Sequence, residues 1–112
     1  MNKTIVSLVS LVAFAASMYA QHTHRTHTLT REQKVVAITI LAEARGEGNA
    51  GMYAVAAVIA QRAFERKQTA ESVCLKPYQF SCWNGKQLKD LEHLLKVKQA
   101  KYAILLAKTV KQ

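Results

Sequence analysis

The sequence predicts an all-α, mainly helical protein that forms one small domain. Three segments carry apolar residues at the three-to-four spacing that lines one face of a helix. They contain Val35, Ile38 and Leu41, then Met52, Val55 and Ile59, and finally Leu88, Leu91 and Leu95. No segment shows the strict alternation of a strand, and no internal repeat is present. A chain of 112 residues has room for a single hydrophobic core.

The first 20 residues have the organisation of a secretory signal peptide. Lys3 provides a positive start, an apolar run extends from Ile5 to Ala16, and residues 17–20 form a plausible cleavage zone. Cleavage fits after Ala20 or, alternatively, after Ser17. The apolar run is shorter than the roughly 20 residues of a membrane-spanning helix, so we prefer export to an uncleaved N-terminal anchor. We therefore expect a secreted protein of the periplasm or cell wall.

The exported chain is strongly basic. Of the 16 basic residues, Lys3 leaves with the signal peptide, and 15 − 7 acidic residues gives a net charge of +8. Such a chain is attracted to polyanions, which outside the cytoplasm are cell-wall glycans with acidic peptides, teichoic acids and lipid headgroups. We expect a monomer without a nucleic acid partner and without stable membrane insertion. Residues 21–29 are predicted to be a flexible leader, and residues 30–112 the folded domain.

The first helix is predicted to begin after Thr30, because Thr30 and Gln33 have the spacing of a capping box. Gly46 and Gly48 are expected to end this helix. Gly46 in particular can adopt the left-handed conformation that closes a helix. This boundary places Glu43 in the last helical turn.

The rest of the chain is predicted to contain two further helical regions joined by a loop. The second helix is expected from near Gly51 to Arg66, with many alanines that allow another helix to approach closely. Residues 67–85 are predicted to be a loop with at most one short turn, since they contain the single proline and an aromatic cluster. Residues from 86 onward are helical again, with a break near residues 96–98 as an open alternative.

Cys74 and Cys82 are the only cysteines in the chain. An even pair in an exported protein predicts a disulfide within the irregular loop. Such a bond would add about 2–3 kcal/mol to a domain with a small core. The alternative is a pair of free buried thiols. A metal site is not predicted, because two thiolates without nearby histidines do not complete a tetrahedral set.

Glu43 and Glu47 are the acidic residues best placed for catalysis. A carboxyl group at the end of an apolar helix is partly removed from water and faces unsatisfied carbonyl groups, and both effects favour its protonated form. An acid that keeps its proton at neutral pH can protonate a glycosidic oxygen. The alternative for Glu43 is a surface acid paired with Arg45 or another base, although Arg45 is expected to pair with Glu47.

Three motifs in this order resemble the SleB-type cell-wall hydrolases, the spore-cortex-lytic family. The chain reads Glu-Ala-Arg-Gly-Glu over residues 43–47, Ala-Val-Ala-Ala-Val-Ile over residues 54–59 and Gln-Phe-Ser over residues 79–81. The similarity covers residues 38–85, about half of the exported chain. It implies a lysozyme-like fold that cleaves peptidoglycan between N-acetylmuramic acid and N-acetylglucosamine.

The resemblance also implies a mechanism, because the family is similar to lytic transglycosylases. The glutamate that matches their single catalytic acid is Glu43, which would act first as acid and then as base. Glu47 would shape the site, or serve as general base in a hydrolytic variant. The substrate-binding residues implied by the resemblance are Glu47, Tyr78, Gln79, Phe80 and Ser81. No cofactor is implied.

Two other functions remain open from the sequence. Members of the family usually continue into a further segment that completes the groove, whereas this chain stops at Gln112. A C-terminally truncated domain of this kind could be a non-catalytic, basic module that binds glycan. The third hypothesis is a membrane-active or nucleic-acid-binding protein, in which lysine-rich residues 86–111 act as an amphipathic helix.

Overall fold

The computed structural model describes residues 28–110. The predicted signal peptide and most of the predicted leader lie outside these residues. The described chain contains five α-helices, in agreement with the predicted all-α class. They are α1 (Arg31–Ala44), α2 (Gly48–Arg66), α3 (Ala70–Leu75), α4 (Leu88–Leu91) and α5 (Ala100–Thr109). Short 3₁₀ helices lie at Arg45–Glu47, Ser81–Trp83 and Glu92–Lys96.

Helix α1 is the centre of the domain. All residues from Val35 to Leu41 are buried, and α2, α3 and α5 all pack against this helix. A helix that is apolar on every side must be enclosed by other elements, which explains why β-branched residues are tolerated here. The predicted capping box is present: the Gln33 N–H donates to Thr30 Oγ1, and the Thr30 N–H donates to Gln33 Oε1, both at 3.0 Å.

The end of α1 differs from the prediction. Gly46 lies within a 3₁₀ turn, and Gly48 instead takes a positive φ of 79°. This conformation favours glycine because a Cβ would clash with the backbone. The chain turns at Gly48 directly into α2, which therefore starts three residues before the predicted Gly51.

The segment predicted as a loop contains a helix. Thr69 caps α3, because its Oγ1 accepts the Ser72 N–H at 3.0 Å, and a 3₁₀ helix follows at residues 81–83. The break predicted near residues 96–98 is confirmed, since one helical stretch ends at Lys96 and α5 begins at Ala100. Within residues 28–110, no helix has the length and apolar content needed to cross a membrane.

The predicted disulfide is wrong, because Cys74 and Cys82 are free thiols. Cys74 lies on α3 and is completely buried, and Cys82 is half-buried in the 3₁₀ helix that follows. Burial raises the pKa of Cys74 to about 12, against a smaller opposing effect of a hydrogen bond with the Thr39 hydroxyl. Both cysteines thus serve as small apolar residues of the core and its edge.

Candidate active site

Glu43 is the penultimate residue of α1 and is exposed to solvent. Its neighbours Leu41 and Ala44 point into the core, so the helix turns Glu43 outward. The partial removal from water that the sequence predicted is therefore absent in the free protein.

Arg45 does not form the expected ion pair with Glu47. Its Nη1 donates instead to the carbonyl oxygen of Leu41 at 3.3 Å, and the same oxygen also accepts the backbone N–H of Arg45. Within residues 28–110, the ion pairs shorter than 4.0 Å are Arg31–Glu71 and Lys34–Glu92.

Glu47 is exposed, and its side chain folds back over the first turn of α2. A Cβ added to Gly51 would lie 2.6 Å from Glu47 Cβ and 2.8 Å from Glu47 Oε2. Gly51 therefore leaves the space that this carboxylate occupies. A negative charge beside the N-terminus of a 19-residue helix is stabilised by the helix dipole.

The Tyr78–Ser81 segment is anchored by one contact just after it and one within it. After the segment, the Trp83 indole N–H donates to Thr39 Oγ1 at 2.9 Å, and the Thr39 hydroxyl donates to the Val35 carbonyl at 2.8 Å. Within the segment, Phe80 is buried and the Arg62 guanidinium lies 5.8 Å from its ring centroid, at cation–π distance. These contacts fix the segment to α1 and α2.

The anchored segment presents polar and aromatic groups to solvent. Tyr78 is 87% exposed, Ser81 is exposed and Gln79 is half-buried. Tyr78 also has a φ of 65°, which is unfavourable for a residue with a Cβ. Strained backbone of this kind persists only when the surrounding structure fixes it, and it is concentrated at functional sites.

Electrostatics connect Glu43 to this segment. Burial raises the pKa of Cys82 to about 11, and the negative charge of Glu43 is the next contribution in the same direction. The end of α1 and the residues after Tyr78 are therefore close enough to interact. Glu43 therefore acts on Cys82, the residue that follows the Tyr78–Ser81 segment, and α1 packs against the 3₁₀ helix that contains Cys82.

Two clefts flank Trp83 and share Leu75 as a second wall residue. The smaller cleft, of about 270 Å³, is bounded by Tyr78 and Asn84. The larger cleft, of about 620 Å³, is lined by the cationic residues Arg31, Lys86 and Lys89 and by the anionic Glu92. Neither Glu43 nor Glu47 lines either cleft.

Sequence reasoning missed two residues that position the segment, Thr39 and Arg62. The signal for Thr39 was its place as a lone hydroxyl within the apolar run from Val35 to Leu41. Arg62 gave no comparable signal, because the surface of α2 carries other charges.

Among residues 28–110, no group of three or more histidine, cysteine or acidic residues is arranged to hold a metal ion.

The described residues thus form a mainly helical domain with an exposed acid at the end of α1, an anchored Tyr78–Ser81 segment and a cleft with several basic residues. The chain belongs to the cell wall hydrolase family, whose model matches residues 46–111, more than half of the chain. The match includes Glu47 and the Tyr78–Ser81 segment, and it begins three residues after Glu43. No curated protein and no solved structure matches the sequence.

Proposed function

We propose that this protein is an exported lytic transglycosylase that cleaves peptidoglycan glycan strands between N-acetylmuramic acid and N-acetylglucosamine. The family membership supports a peptidoglycan-degrading enzyme. The observation that carries the finer proposal is the position of the exposed Glu43 at the end of α1, the helix against which the 3₁₀ helix at Ser81–Trp83 packs. The proposed site therefore combines a solvent-accessible acid, Glu43, with the exposed polar and aromatic side chains of the anchored segment, which suit sugars.

In the proposed reaction, Glu43 acts twice. The protonated carboxyl group first donates its proton to the glycosidic oxygen, and the bond from that oxygen to the muramic acid C1 breaks. The resulting carboxylate then takes the proton of the muramic acid 6-hydroxyl, whose oxygen bonds to C1 and closes a 1,6-anhydro ring. The proton returns to Glu43, no water is consumed, and a second carboxylate is not required.

Substrate binding has to supply the dry environment that this mechanism needs. Glu43 is exposed to solvent in the free protein. A glycan strand lying on the anchored segment would cover the carboxyl group and favour its protonated form. The proposed enzyme therefore assembles its general acid only when substrate is bound.

The exposed groups of the anchored segment and of the larger cleft suit a glycan with acidic side peptides. Tyr78 offers a flat face on which a sugar ring can pack, and the Gln79 amide can both donate and accept hydrogen bonds. The larger cleft adds Lys86 and Lys89, and no carboxylate of residues 28–110 lies within 4.0 Å of either ammonium group. These lysines are available for the carboxylates of stem peptides.

Glu47 has a structural role in this proposal. Its carboxylate is held over the start of α2 beside Gly51, where it shapes the surface next to Glu43. In a hydrolytic reaction the same carboxylate would act as general base for a water molecule. The products of the reaction distinguish these two roles.

We further propose that the protein works outside the cytoplasm as a monomer. The proposal depends on the signal-like sequence of residues 1–20 and on the basic charge of the remaining chain. N-terminal sequencing of the protein recovered from the culture medium or periplasm tests it. A mature start at residue 18 or 21 is expected, and an intact Met1 on an exported protein would contradict cleavage.

The enzymatic proposal is tested by digestion of purified peptidoglycan, with products analysed by mass spectrometry. Glu43→Gln should abolish the products, whereas Glu65→Gln should leave them unchanged. Glu65 is a matched control because it is an exposed glutamate on α2 whose Oε1 accepts a hydrogen bond from Gln61 at 2.7 Å, a bond that glutamine can also accept. Anhydromuramic products that require Glu43 support a transglycosylase.

Other products would change the assignment. Reducing ends that carry an added water would assign hydrolysis and make Glu47 the general base. The second candidate function is a non-catalytic glycan-binding module, favoured by the position of the basic cleft. Arg31 lines that cleft and is twelve residues before Glu43 on α1. At 1.5 Å per residue the two residues are about 18 Å apart along the helix axis, so the cleft is separate from Glu43. Binding to peptidoglycan without any product from the wild-type protein would establish this module.

A further inference from the structure

A groove with an apolar floor lies between the start of α2 and the outer face of α5. Its volume is about 680 Å³, and its floor is formed by Tyr102, Ile104 and Leu105. Lys98 and Lys101 form part of its rim on the α5 side. Leu105 is 57% exposed, so the groove combines uncovered apolar surface with positive charge.

The same face continues along α2. Asn49 lines the groove, and Tyr53 follows one helical turn later. Phe64 is eleven residues beyond Tyr53, so at about 100° per residue the two side chains lie only about 20° apart around the helix. Tyr53 is 61% exposed and Phe64 is 83% exposed. Together with Leu105 they form an exposed apolar surface, which we call the docking face.

We propose that the docking face binds a membrane surface rich in anionic lipid. Large exposed apolar groups that adjoin cationic side chains are characteristic of interfacial binding, in which the apolar groups enter the acyl boundary and the lysines contact headgroups. The net charge of +9 for the whole chain adds long-range attraction to the same surface.

Two other occupants fit less well. A second copy of this chain would bring the lysines of two identical rims together, and like charges across an interface oppose association. A soluble wall polyanion would neutralise the lysines but would leave Phe64 and Leu105 in water. An anionic lipid surface satisfies both the charge and the apolar area.

The docking face and the candidate active site lie on different flanks of α2. Arg62, which contacts Phe80, is about 160–180° around the helix from Tyr53 and Phe64. A protein bound to lipid through the docking face would therefore keep Arg62 and the Phe80 ring that it contacts away from the lipid. The proposal itself does not depend on the enzymatic activity.

Co-sedimentation with vesicles tests the proposal. The whole chain should bind vesicles of phosphatidylglycerol and phosphatidylcholine, and it should bind phosphatidylcholine alone much more weakly. Phe64→Glu and Leu105→Glu should each weaken binding to the anionic vesicles by roughly tenfold or more. Every variant keeps the same N-terminus, so any contribution of residues 1–27 cancels in the comparison.

Val58→Glu is the matched control for the apolar substitutions. Val58 is 42% exposed on the same helix, and it lies about 140° around the axis from Tyr53. The change in net charge is identical, so only the position differs. Binding by Val58→Glu should stay within about twofold of wild type, which is the range expected for the loss of one distant charge.

A second comparison tests the rim. The double substitution Lys98→Gln with Lys101→Gln should weaken binding about 30-fold, because each lysine near an anionic surface strengthens binding about fivefold. The pair Lys86→Gln with Lys89→Gln removes the same charge from the larger cleft, which shares no lining residue with the groove, and should have a much smaller effect.

Three results would overturn the proposal. One is equal binding to neutral and anionic vesicles. Another is equal loss of binding in Val58→Glu and Phe64→Glu, which would make charge alone responsible. The third is a wild-type dimer in analytical ultracentrifugation that Leu105→Glu converts to monomer, which would assign the face to a second copy. Circular dichroism of each variant establishes that the fold is retained.

Discussion

Replacement of Thr39 by valine should destabilise the domain by removing the acceptor of the Trp83 indole. Thr39 is completely buried and Trp83 is 8% exposed, so water cannot readily replace the lost partner. The indole N–H, now 2.9 Å from Thr39 Oγ1, would remain unpaired. Leaving a buried donor without an acceptor costs about 1–3 kcal/mol, whereas valine preserves the shape of threonine. We therefore expect Thr39→Val to lower the unfolding free energy by about 2 kcal/mol.

Urea denaturation followed by circular dichroism measures this loss. In a domain of this size, about 1 kcal/mol corresponds to a change in Tm of about 4–8 °C. Thr39→Ser is the control, because it keeps the hydroxyl that accepts the indole N–H. Trp83→Phe removes the donor instead, and the Thr39 hydroxyl then still donates to the Val35 carbonyl at 2.8 Å.

The double variant decides whether the hydrogen bond is responsible. If the bond anchors the segment, Thr39→Val should cost about 1 kcal/mol less in the Trp83→Phe background than in wild type. Strictly additive losses would refute the reasoning. They would mean that Thr39 and Trp83 stabilise the core independently, without a shared contact.

Three further predictions concern the surface around Glu43. Gly51→Ala should lower the Tm in thermal unfolding, because the new Cβ would collide with the Glu47 side chain that folds over this position. Gly46→Ala is the control and should be neutral or slightly stabilising, since no atom lies within 4 Å of a Cβ there. Tyr78→Gly should raise the unfolding free energy by about 1 kcal/mol, because glycine relieves the strain of a positive φ; an unchanged or lower value would contradict this. Glu43→Gln should lower the pKa of Cys82, because removing a neighbouring negative charge favours the thiolate. Alkylation of Cys82 followed against pH measures that shift, and an unchanged profile would mean that the two side chains do not interact.

Local signals predicted the helices well because they act within a few residues. The pair Thr30 and Gln33 predicted the start of α1, and the apolar run that follows predicted a buried helix. The same kind of signal was present for α3, where Thr69 caps the helix by accepting the Ser72 N–H. The nearby proline and cysteines led instead to the prediction of a loop.

Tertiary features were harder to predict from the sequence. The expectation of a disulfide came from cysteine number and compartment, whereas the structure packs Cys74 into the core as a free thiol. Glu43 points outward although most of α1 is enclosed, because its position around the helix axis directs its side chain away from the elements that pack against α1. The positive φ of Tyr78 has no sequence signature, because tyrosine rarely adopts it. Each of these features is set by contacts between distant segments.

The position of α1 has a consequence for how the chain acquires its structure. Helix α1 comes first among the described helices, yet it packs extensively against α5, which ends at Thr109. Its β-branched residues have low helix propensity, so α1 depends on these late contacts for its stability. A partly synthesised chain that lacks α5 leaves one side of α1 uncovered. Folding should therefore be a late, all-or-none event, and a chain that crosses a membrane end-first would remain unfolded until α5 has followed.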